Sequence, residues 1–258
     1  MNFQFNVDFH TSFGEEVVLN LVSGVSKDGT LSKYHMMTRD GVRWSCELDI
    51  DALGSLVYYY DVERQGVTVR QEWLTVKHTL ELNALKGTRY TIYDQWHDMP
   101  EDSYLYSSAF TDCIHSCHVA RPANSAFGRT VRMVVRAPQI GGSRLAMVGE
   151  ADALGAWDAA DALPMVEHDY NEWVAEVDAA WFADGKVEFK FVAVSADDPT
   201  DIMWEEGYNR EVWLPQMEEG DVVAYDLSQA FFAIYDTKVA GTLVPVFSLR
   251  SKTSFGVG

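Results

Sequence analysis

Val187-Glu188-Phe189-Lys190-Phe191 alternates strictly between apolar and charged residues. Successive side chains of a β-strand point to opposite faces of the sheet, so this pattern predicts a strand with one core face and one solvent face. The run lies between Trp157 and Trp204, two tryptophans with glycine or charged residues close beside them. A β-sheet can bring these two tryptophans together although they are far apart in the sequence.

Two indole rings side by side form a platform for a pyranose ring, whose C–H face is apolar and whose rim carries hydroxyl groups. Lys190, Glu205 and Asn209 can supply hydrogen-bond donors and acceptors to those hydroxyls. The alternative is that both tryptophans belong to the core, because Trp is highly buried on average. The tryptophans and their polar neighbours taken together favour a binding surface for a neutral polysaccharide.

These motifs resemble, in order and spacing, the starch-binding domain of carbohydrate-binding module family 20. The similarity covers about residues 130–215 and rests on Val148-Gly149, Leu154-Gly155-x-Trp157, Trp173, Glu188-Phe189-Lys190-Phe191 and Trp204-Glu205-x-x-x-Asn209-Arg210. The resemblance implies an antiparallel, immunoglobulin-like β-sandwich that binds α-glucans. It also implies that Trp157 and Trp204 stack on the sugar at a first site, with Lys190, Glu205 and Asn209 as polar contacts.

The resemblance also implies a second carbohydrate site, but this sequence contains only part of the motif for that site. Trp173 matches the tryptophan of that site, and Tyr170 matches one of its tyrosines. The position of the other tyrosine is taken by Ile140-Gly141-Gly142. Tyr170 and Trp173 are therefore candidates for a possible second site.

Length and charge limit the function classes that fit the chain. With 258 residues it is long enough for two domains, each with its own core. A net charge of −19 repels nucleic acid and anionic lipid, so a neutral or cationic partner is expected. The opening residues Met1–Asn6 do not have the pattern of a signal peptide, and no apolar run is long enough to span a membrane.

The three cysteines are sparse and odd in number, which favours a reducing compartment, and we expect a cytoplasmic protein. The short run containing Cys113, His115, Cys117 and His118 could be a metal site. Zinc sites usually combine two ligand pairs across a longer spacer, and no second pair lies nearby. We therefore interpret the run as part of a linker and predict no metal and no cofactor.

Residues 1–85 are predicted to form a first, divergent starch-binding-like β-sandwich, which makes the chain an internal duplication. Three segments parallel the later ones: Val22-Ser23-Gly24 parallels Val148-Gly149, Trp44 parallels Trp173, and Leu56–Tyr60 parallels Val187–Phe191. This copy lacks the L-G-x-W motif, and Tyr59 replaces Lys190 while Arg70 stands near the place of Trp204. It is either structural or a weak binder that uses Trp44 or Trp73.

The rest of the chain is divided by composition. Residues 86–128 are predicted to be a structured linker, because Arg89–Trp96 is too aromatic for a flexible one. The second sandwich is predicted over 129–225, with an added edge strand at 222–227. Residues 226–258 are predicted to be a connector that ends in the start of a truncated catalytic barrel. Residues 241–258 resemble the opening of the barrel in 4-α-glucanotransferases of glycoside hydrolase family 77, the amylomaltase or disproportionating enzymes.

Common catalytic and nucleotide-binding motifs do not occur in the sequence. The resemblance places the catalytic acids in the barrel beyond residue 258, so we expect this fragment to bind α-1,4-glucans such as starch, glycogen and maltodextrins without catalysing. Its parent would be a 4-alpha-glucanotransferase, which transfers α-1,4-glucan segments between sugars. The alternatives are a protein-interaction or dimerisation module and a free-standing glucan-binding scaffold. The oligomeric state stays open.

Overall fold

The computed structural model describes residues 1–23, 31–52, 54–82, 89–100, 103, 127–137, 140, 143–182, 184–227 and 229–232, together with the backbone of 234–236 and 244–246. Nearly all regular structure in these residues is β-strand, which confirms the predicted all-β class. Within the described part of the chain, no helix has the length and apolar character needed to cross a membrane.

Among its described residues, the first half of the chain contains nine strands. They are β1 (Asn2–Asp8), β2 (Glu15–Ser23), β3 (Ser32–His35), β4 (Met37–Thr38), β5 (Arg43–Asp49), β6 (Ser55–Arg64), β7 (Val67–Gln71), β8 (His78–Glu81) and β9 (Arg89–Gln95). We refer to β1–β9 as the first unit.

The later strands follow after residue 129. They are β10 (Thr130–Arg136), β11 (Arg144–Gly149), β12 (Leu163–Pro164), β13 (Val166–Asp169), β14 (Glu172–Asp178), β15 (Lys186–Val194), β16 (Ile202–Trp204), β17 (Arg210–Trp213), β18 (Val222–Leu227), β19 (Ile234–Asp236) and β20 (Val244–Val246). We refer to β10–β18 as the second unit; β19 and β20 pair only with each other among the described strands.

The two units repeat the same strand pairings. In the first unit β1 pairs antiparallel with β5 and parallel with β9; in the second, β10 pairs antiparallel with β14 and parallel with β18. The long central strand of the first unit, β6, pairs with β2, β7 and β8, and β15 pairs in the same way with β11, β16 and β17. The fold is therefore duplicated at the level of strand topology.

One eight-stranded sheet, which we term the shared sheet, runs through both units in the order β13-β14-β10-β18-β9-β1-β5-β4. The join is the parallel pairing of β18 with β9, from Val222 opposite Tyr90 to Tyr225 opposite Tyr93. The predicted edge strand at 222–227 therefore lies inside a sheet, with a neighbour on each side. Strand β9 falls within the range 86–128 that was expected to be a linker.

Each unit adds a smaller side sheet: β3-β2-β6-β7 with β8 in the first, and β12-β11-β15-β16 with β17 in the second. Alternate residues of β18 enter different cores: Val222 and Ala224 join the first core, while Val223 and Tyr225 join the second. Because alternate residues of a strand face opposite sides, the two side sheets pack on opposite faces of the shared sheet. The units are thus fused through a common layer rather than joined by a tether.

Candidate functional site

The central strand of the second unit has the orientation that its alternation predicts. Val187, Phe189 and Phe191 are fully buried in the second core, whereas Glu188 and Lys190 are partly exposed on the outer face of the side sheet. Asn209 and Lys186 both donate hydrogen bonds to Glu188, and these bonds lower the pKa of that carboxyl group.

Trp157 ends a short 3-10 segment, Asp152–Trp157, that begins just beyond β11. Leu154 anchors the segment in the core, and Gly155, Ala156 and Trp157 then have φ values of 79°, 47° and 65°. A left-handed conformation costs energy for residues other than glycine, and such conformations cluster at functional sites. The turn leaves the Trp157 side chain partly exposed.

The segment that follows Trp157 and the side chain of Trp204 both lie on the outer face of the side sheet. Ala159 and Ala162, just after Trp157, pack there against a small cluster that includes Val192. Trp204 is the cross-strand partner of Val192 and therefore lies on that face as well. Trp204 is 43% exposed, so neither tryptophan is enclosed in the core.

Lys190 and Asn209 flank this face and are held by hydrogen bonds. The Lys190 ammonium donates to the carbonyl oxygens of Glu205 at 2.7 Å and Gly207 at 2.8 Å, which fixes the loop after Trp204. An ammonium has three N–H groups, so one remains after these two bonds. Asn209 is exposed, and its side-chain nitrogen donates to Glu188 at 2.9 Å, which orients its amide group.

Glu205 differs from the expectation that its carboxylate meets the sugar. The residue is only 5% exposed, and both carboxylate oxygens accept hydrogen bonds from Nε of Arg210 at 3.0 Å. The backbone N–H of Phe191 also donates to this carboxylate, at 3.4 Å. A buried carboxylate needs such partners, so Glu205 supports the loop from below and only its backbone reaches the outer face.

The candidate second site is not assembled as predicted. Trp173 is 8% exposed and belongs to the second core, because its cross-strand partner Val135 faces that core. Its indole ring therefore cannot offer a free face to a sugar. Tyr170 is partly exposed in the hairpin turn beside Asn171, which has φ 57°. Trp44, the equivalent of Trp173 in the first unit, is likewise buried, and its Nε1 donates to the Phe9 carbonyl oxygen at 3.1 Å.

A buried charged cluster at the junction of the units has no counterpart in the sequence analysis. His78 lies 3.1 Å from Glu72, 3.7 Å from Asp94 and 3.8 Å from Asp226. Burial lowers the pKa of His78, but the surrounding carboxylates outweigh it and raise that pKa to about 10. Burial raises the pKa of Asp94 and of Asp226 to about 6. Only the folded junction brings these residues together, so no local sequence signal could have indicated the cluster.

The same cluster contains two overlapping sets of side chains with the spacing of metal ligands, Glu72 with His78 and His97, and His78 with Asp94 and Asp226. The rings of His78 and His97 are stacked, with centroids 4.0 Å apart and an interplanar angle of 20°. Because the two imidazole rings are stacked, the lone pairs of their nitrogens lie in roughly parallel planes rather than pointing at a common metal position. The Cys113–His118 run lies outside the described residues.

Comparison with known proteins finds a similarity in the second unit. Residues 130–223 match the family model CBM_20, described as a starch binding domain. Solved structures that resemble the chain include the family 20 module of the maltotetraose-forming amylase from Pseudomonas saccharophila, at 22% identity and a TM-score of 0.30, covering 38% of this chain and 99% of that one. They also include the Hypocrea jecorina family 15 glucoamylase, at 23% identity and a TM-score of 0.30, covering 43% of this chain and 18% of that one.

The γ-CGTase of an alkalophilic Bacillus clarkii is similar over 82% of this chain and 23% of its own, at 19% identity and a TM-score of 0.31. The chain thus spans less than a quarter of the length of these two large enzymes. The similarity to a starch-binding domain rests on the family model and is limited to residues 130–223, which the model matches.

Proposed function

We propose that the second unit binds α-1,4-glucans such as starch, glycogen and maltodextrins on the outer face of its side sheet, through Trp157 and Trp204. The observation that supports this proposal most is Trp204, 43% exposed on the outer face of the side sheet, together with the partly exposed Trp157, whose following residues Ala159 and Ala162 pack on that face. A rigid aromatic surface binds the apolar face of a sugar at low entropic cost, because few side-chain rotations are lost. The strained turn at Trp157 supports the same assignment.

Lys190 and Asn209 complete the proposed surface as polar contacts. Both are already oriented by hydrogen bonds to neighbouring protein groups, so little freedom is lost when a hydroxyl group binds. Glu205 contributes by fixing the loop. Sugar hydroxyls both donate and accept hydrogen bonds, and an ammonium beside an amide offers both functions.

For the predicted first sandwich, residues 1–85, we propose a structural role with weak glucan binding at most. Asp61 of β6 takes the place that Val192 has in β15. The residue opposite Asp61 is Gln71, whereas the residue opposite Val192 is Trp204. Trp44 is buried, which leaves Trp73 as its partly exposed candidate. The proposed boundaries of the other parts are 86–128 for the structured linker, 129–225 for the second sandwich, and 226–258 for the connector and the start of the barrel.

We further propose that the chain is the glucan-binding region of a 4-alpha-glucanotransferase in the cytoplasm. The resemblance of residues 241–258 to the opening of such a barrel supports the first point, and the sparse cysteines support the second. A linked binding module raises the local concentration of glucan at a catalytic domain, which is the advantage of the arrangement.

Retention on insoluble starch tests the binding function directly. We expect the 258-residue chain to sediment with granular starch and to be released by soluble maltodextrin. An interaction or dimerisation module predicts no such retention. A chain that stays in solution, or that maltodextrin does not release, would contradict the proposal.

A further inference from the structure

A groove lies between the two units, because the two side sheets cover different parts of the shared sheet. The second side sheet covers the face of the shared sheet at β10 and β18, and among the described residues none of its strands extends over β1, β5 and β4. The residues on this face form one cross-strand row, in the order Tyr225, Tyr93, Asn6, Ser45 and Met37. This row is the floor of the groove.

The groove has a volume of about 1060 Å³, just above the range of roughly 300–1,000 Å³ that small-molecule sites occupy. Its wall on the second unit is β17, which contributes Glu211 and Trp213. Its wall on the first unit is the β4–β5 hairpin, which contributes Arg39 and Arg43. Both units are therefore needed to form it.

Trp213 is the most prominent aromatic side chain of the groove, with 64% of its surface exposed. Its indole Nε1 donates to Glu211 at 2.6 Å, and its backbone carbonyl oxygen accepts a bond from the Tyr225 hydroxyl at 2.7 Å. The Tyr225 ring in turn stacks on Tyr93, with centroids 5.0 Å apart and an interplanar angle of 8°. The exposed indole is thus held in place by the groove floor.

The polar lining carries both signs of charge. Arg39 and Arg43 face Asp8, Asp40 and Glu211, so two positive and three negative groups line the groove, and uncharged groups such as Asn6 and Ser45 lie on the floor. Such a lining offers many hydrogen-bond donors and acceptors, and its charges largely offset one another. A neutral polyhydroxy chain fits these groups, and an exposed indole fits the apolar face of its sugar rings.

We propose that this groove is an additional binding site for a neutral α-glucan chain, with Trp213 as its stacking residue; the choice of glucan rests on the proposed function. Along β15, Trp204 pairs with Val192 and Trp213 pairs with Lys186, so the two tryptophans are about 20 Å apart at the usual strand rise. Both lie on the outer face of the side sheet. A long linear glucan reaches from one site to the other, whereas a cyclodextrin does not.

Calorimetric titration with maltoheptaose tests the groove in the full chain. The variant W157A/W204A is expected to retain a weaker site, and adding Trp213→Ala is expected to weaken that site by about tenfold or more, as for a central aromatic anchor. Ser45→Lys, which places a long side chain on the groove floor, should have the same effect from the other unit. Phe13→Ala removes a fully exposed ring away from the groove and is the control.

The outcomes separate the two proposals. If W157A/W204A has no residual binding, or if neither Trp213→Ala nor Ser45→Lys weakens it, the groove is not a glucan site and the proposed function stands. If W157A/W204A binds like the original chain while Trp213→Ala abolishes binding, the groove stands and the assigned tryptophan pair is wrong.

Discussion

Glu72 in the first unit and Glu205 in the second occupy equivalent positions and make equivalent hydrogen bonds. The backbone N–H of Glu72 donates to the Tyr60 carbonyl oxygen at 3.2 Å, and that of Glu205 donates to the Phe191 carbonyl oxygen at 2.9 Å. In return, the backbone N–H of Tyr60 donates to the Glu72 carboxylate, and the backbone N–H of Phe191 donates to the Glu205 carboxylate.

The cation that each glutamate pairs with comes from the equivalent strand as well. It is His78 of β8 for Glu72 and Arg210 of β17 for Glu205. The cross-strand partners of these cations are Tyr58 of β6 and Phe189 of β15, which stand at matching places in the two units. Both units therefore contain a buried ion pair at the equivalent place, with a histidine as the basic residue in the first unit and an arginine in the second.

Replacement of Glu205 by alanine should reduce stability. The substitution leaves the Arg210 guanidinium partly buried without its carboxylate, a change that typically costs about 3–5 kcal/mol. Urea denaturation measures the free energy of unfolding, with the exposed neighbour Glu206→Ala as the control. A variant with unchanged stability and lost glucan affinity would show instead that Glu205 contacts the sugar.

The ion pair in the first unit should make stability depend on pH. The pKa of His78 is about 10 in the folded protein, above its ordinary value of 6.5, so the native state keeps a proton that the unfolded state loses. This contribution is complete below about pH 6.5 and declines by up to about 1.4 kcal/mol per pH unit until about pH 10. Asp94 and Asp226, with pKa values of about 6, titrate mainly below that window.

Denaturation midpoints between pH 6.5 and 10 measure this decline. His78→Arg substitutes the residue type of Arg210, and a guanidinium stays charged throughout that range. The variant should therefore lose most of the slope. A slope that persists unchanged in His78→Arg would assign the pH dependence to other groups.

Gly155→Ala should disturb the Trp157 turn. A Cβ atom at residue 155 would lie 2.8 Å from the backbone carbonyl carbon and oxygen of Asp161, and the residue has φ 79°. Neither strain is relieved by moving a side chain, so we expect a loss of more than about 1 kcal/mol in stability together with weaker glucan binding. Gly207→Ala is a matched control, since it shares a positive φ of 88° but meets no atom within 4 Å. Equal effects of the two substitutions would rule out close packing at Gly155 as the cause.

Single replacement of Trp157 or Trp204 by alanine should lower glucan affinity by about 2 kcal/mol or more, as for other aromatic anchors. Both side chains are incompletely buried, so the fold should tolerate the change. Titration of β-cyclodextrin measures the effect, because the ring cannot span two distant sites. Unchanged affinity in both variants would exclude this pair as the stacking surface.

The shared sheet should make the two units unfold together. β18 bonds to β9 of the first unit and β10 of the second, and Arg89 pairs with Asp221 across the junction at 2.8 Å. Opening one unit alone would expose the edge of the remaining sheet and its apolar residues. Differential scanning calorimetry should therefore show one transition. Two well-separated transitions would mean that the units are energetically independent.

The alternation of Val187–Phe191 was enough to identify the central strand and both of its faces, because side-chain direction in a strand follows from sequence position alone. The same rule extended to the first half of the chain and gave the all-β class. Trp157 and Trp204 were recognised by motif, and their partial exposure is consistent with that reading. Their role in sugar binding stays a prediction.

Burial of a particular side chain depends on which strands become neighbours, and no local pattern specifies that. Trp173 matched a sugar-binding tryptophan by sequence, yet β14 turns it toward the core because it pairs with Val135. The motif predicts that Glu205 contacts the sugar, whereas in the structure its carboxylate is paired with Arg210, five residues later.

The pairing of β18 with β9 joins residues 132 positions apart, such as Tyr90 and Val222. That contact creates the shared sheet, the groove at Trp213 and the charged cluster around His78. Strand periodicity is a local property and could be read along the chain. The side-by-side order of strands results from long-range packing, and it determined where charges and aromatic rings from the two halves meet.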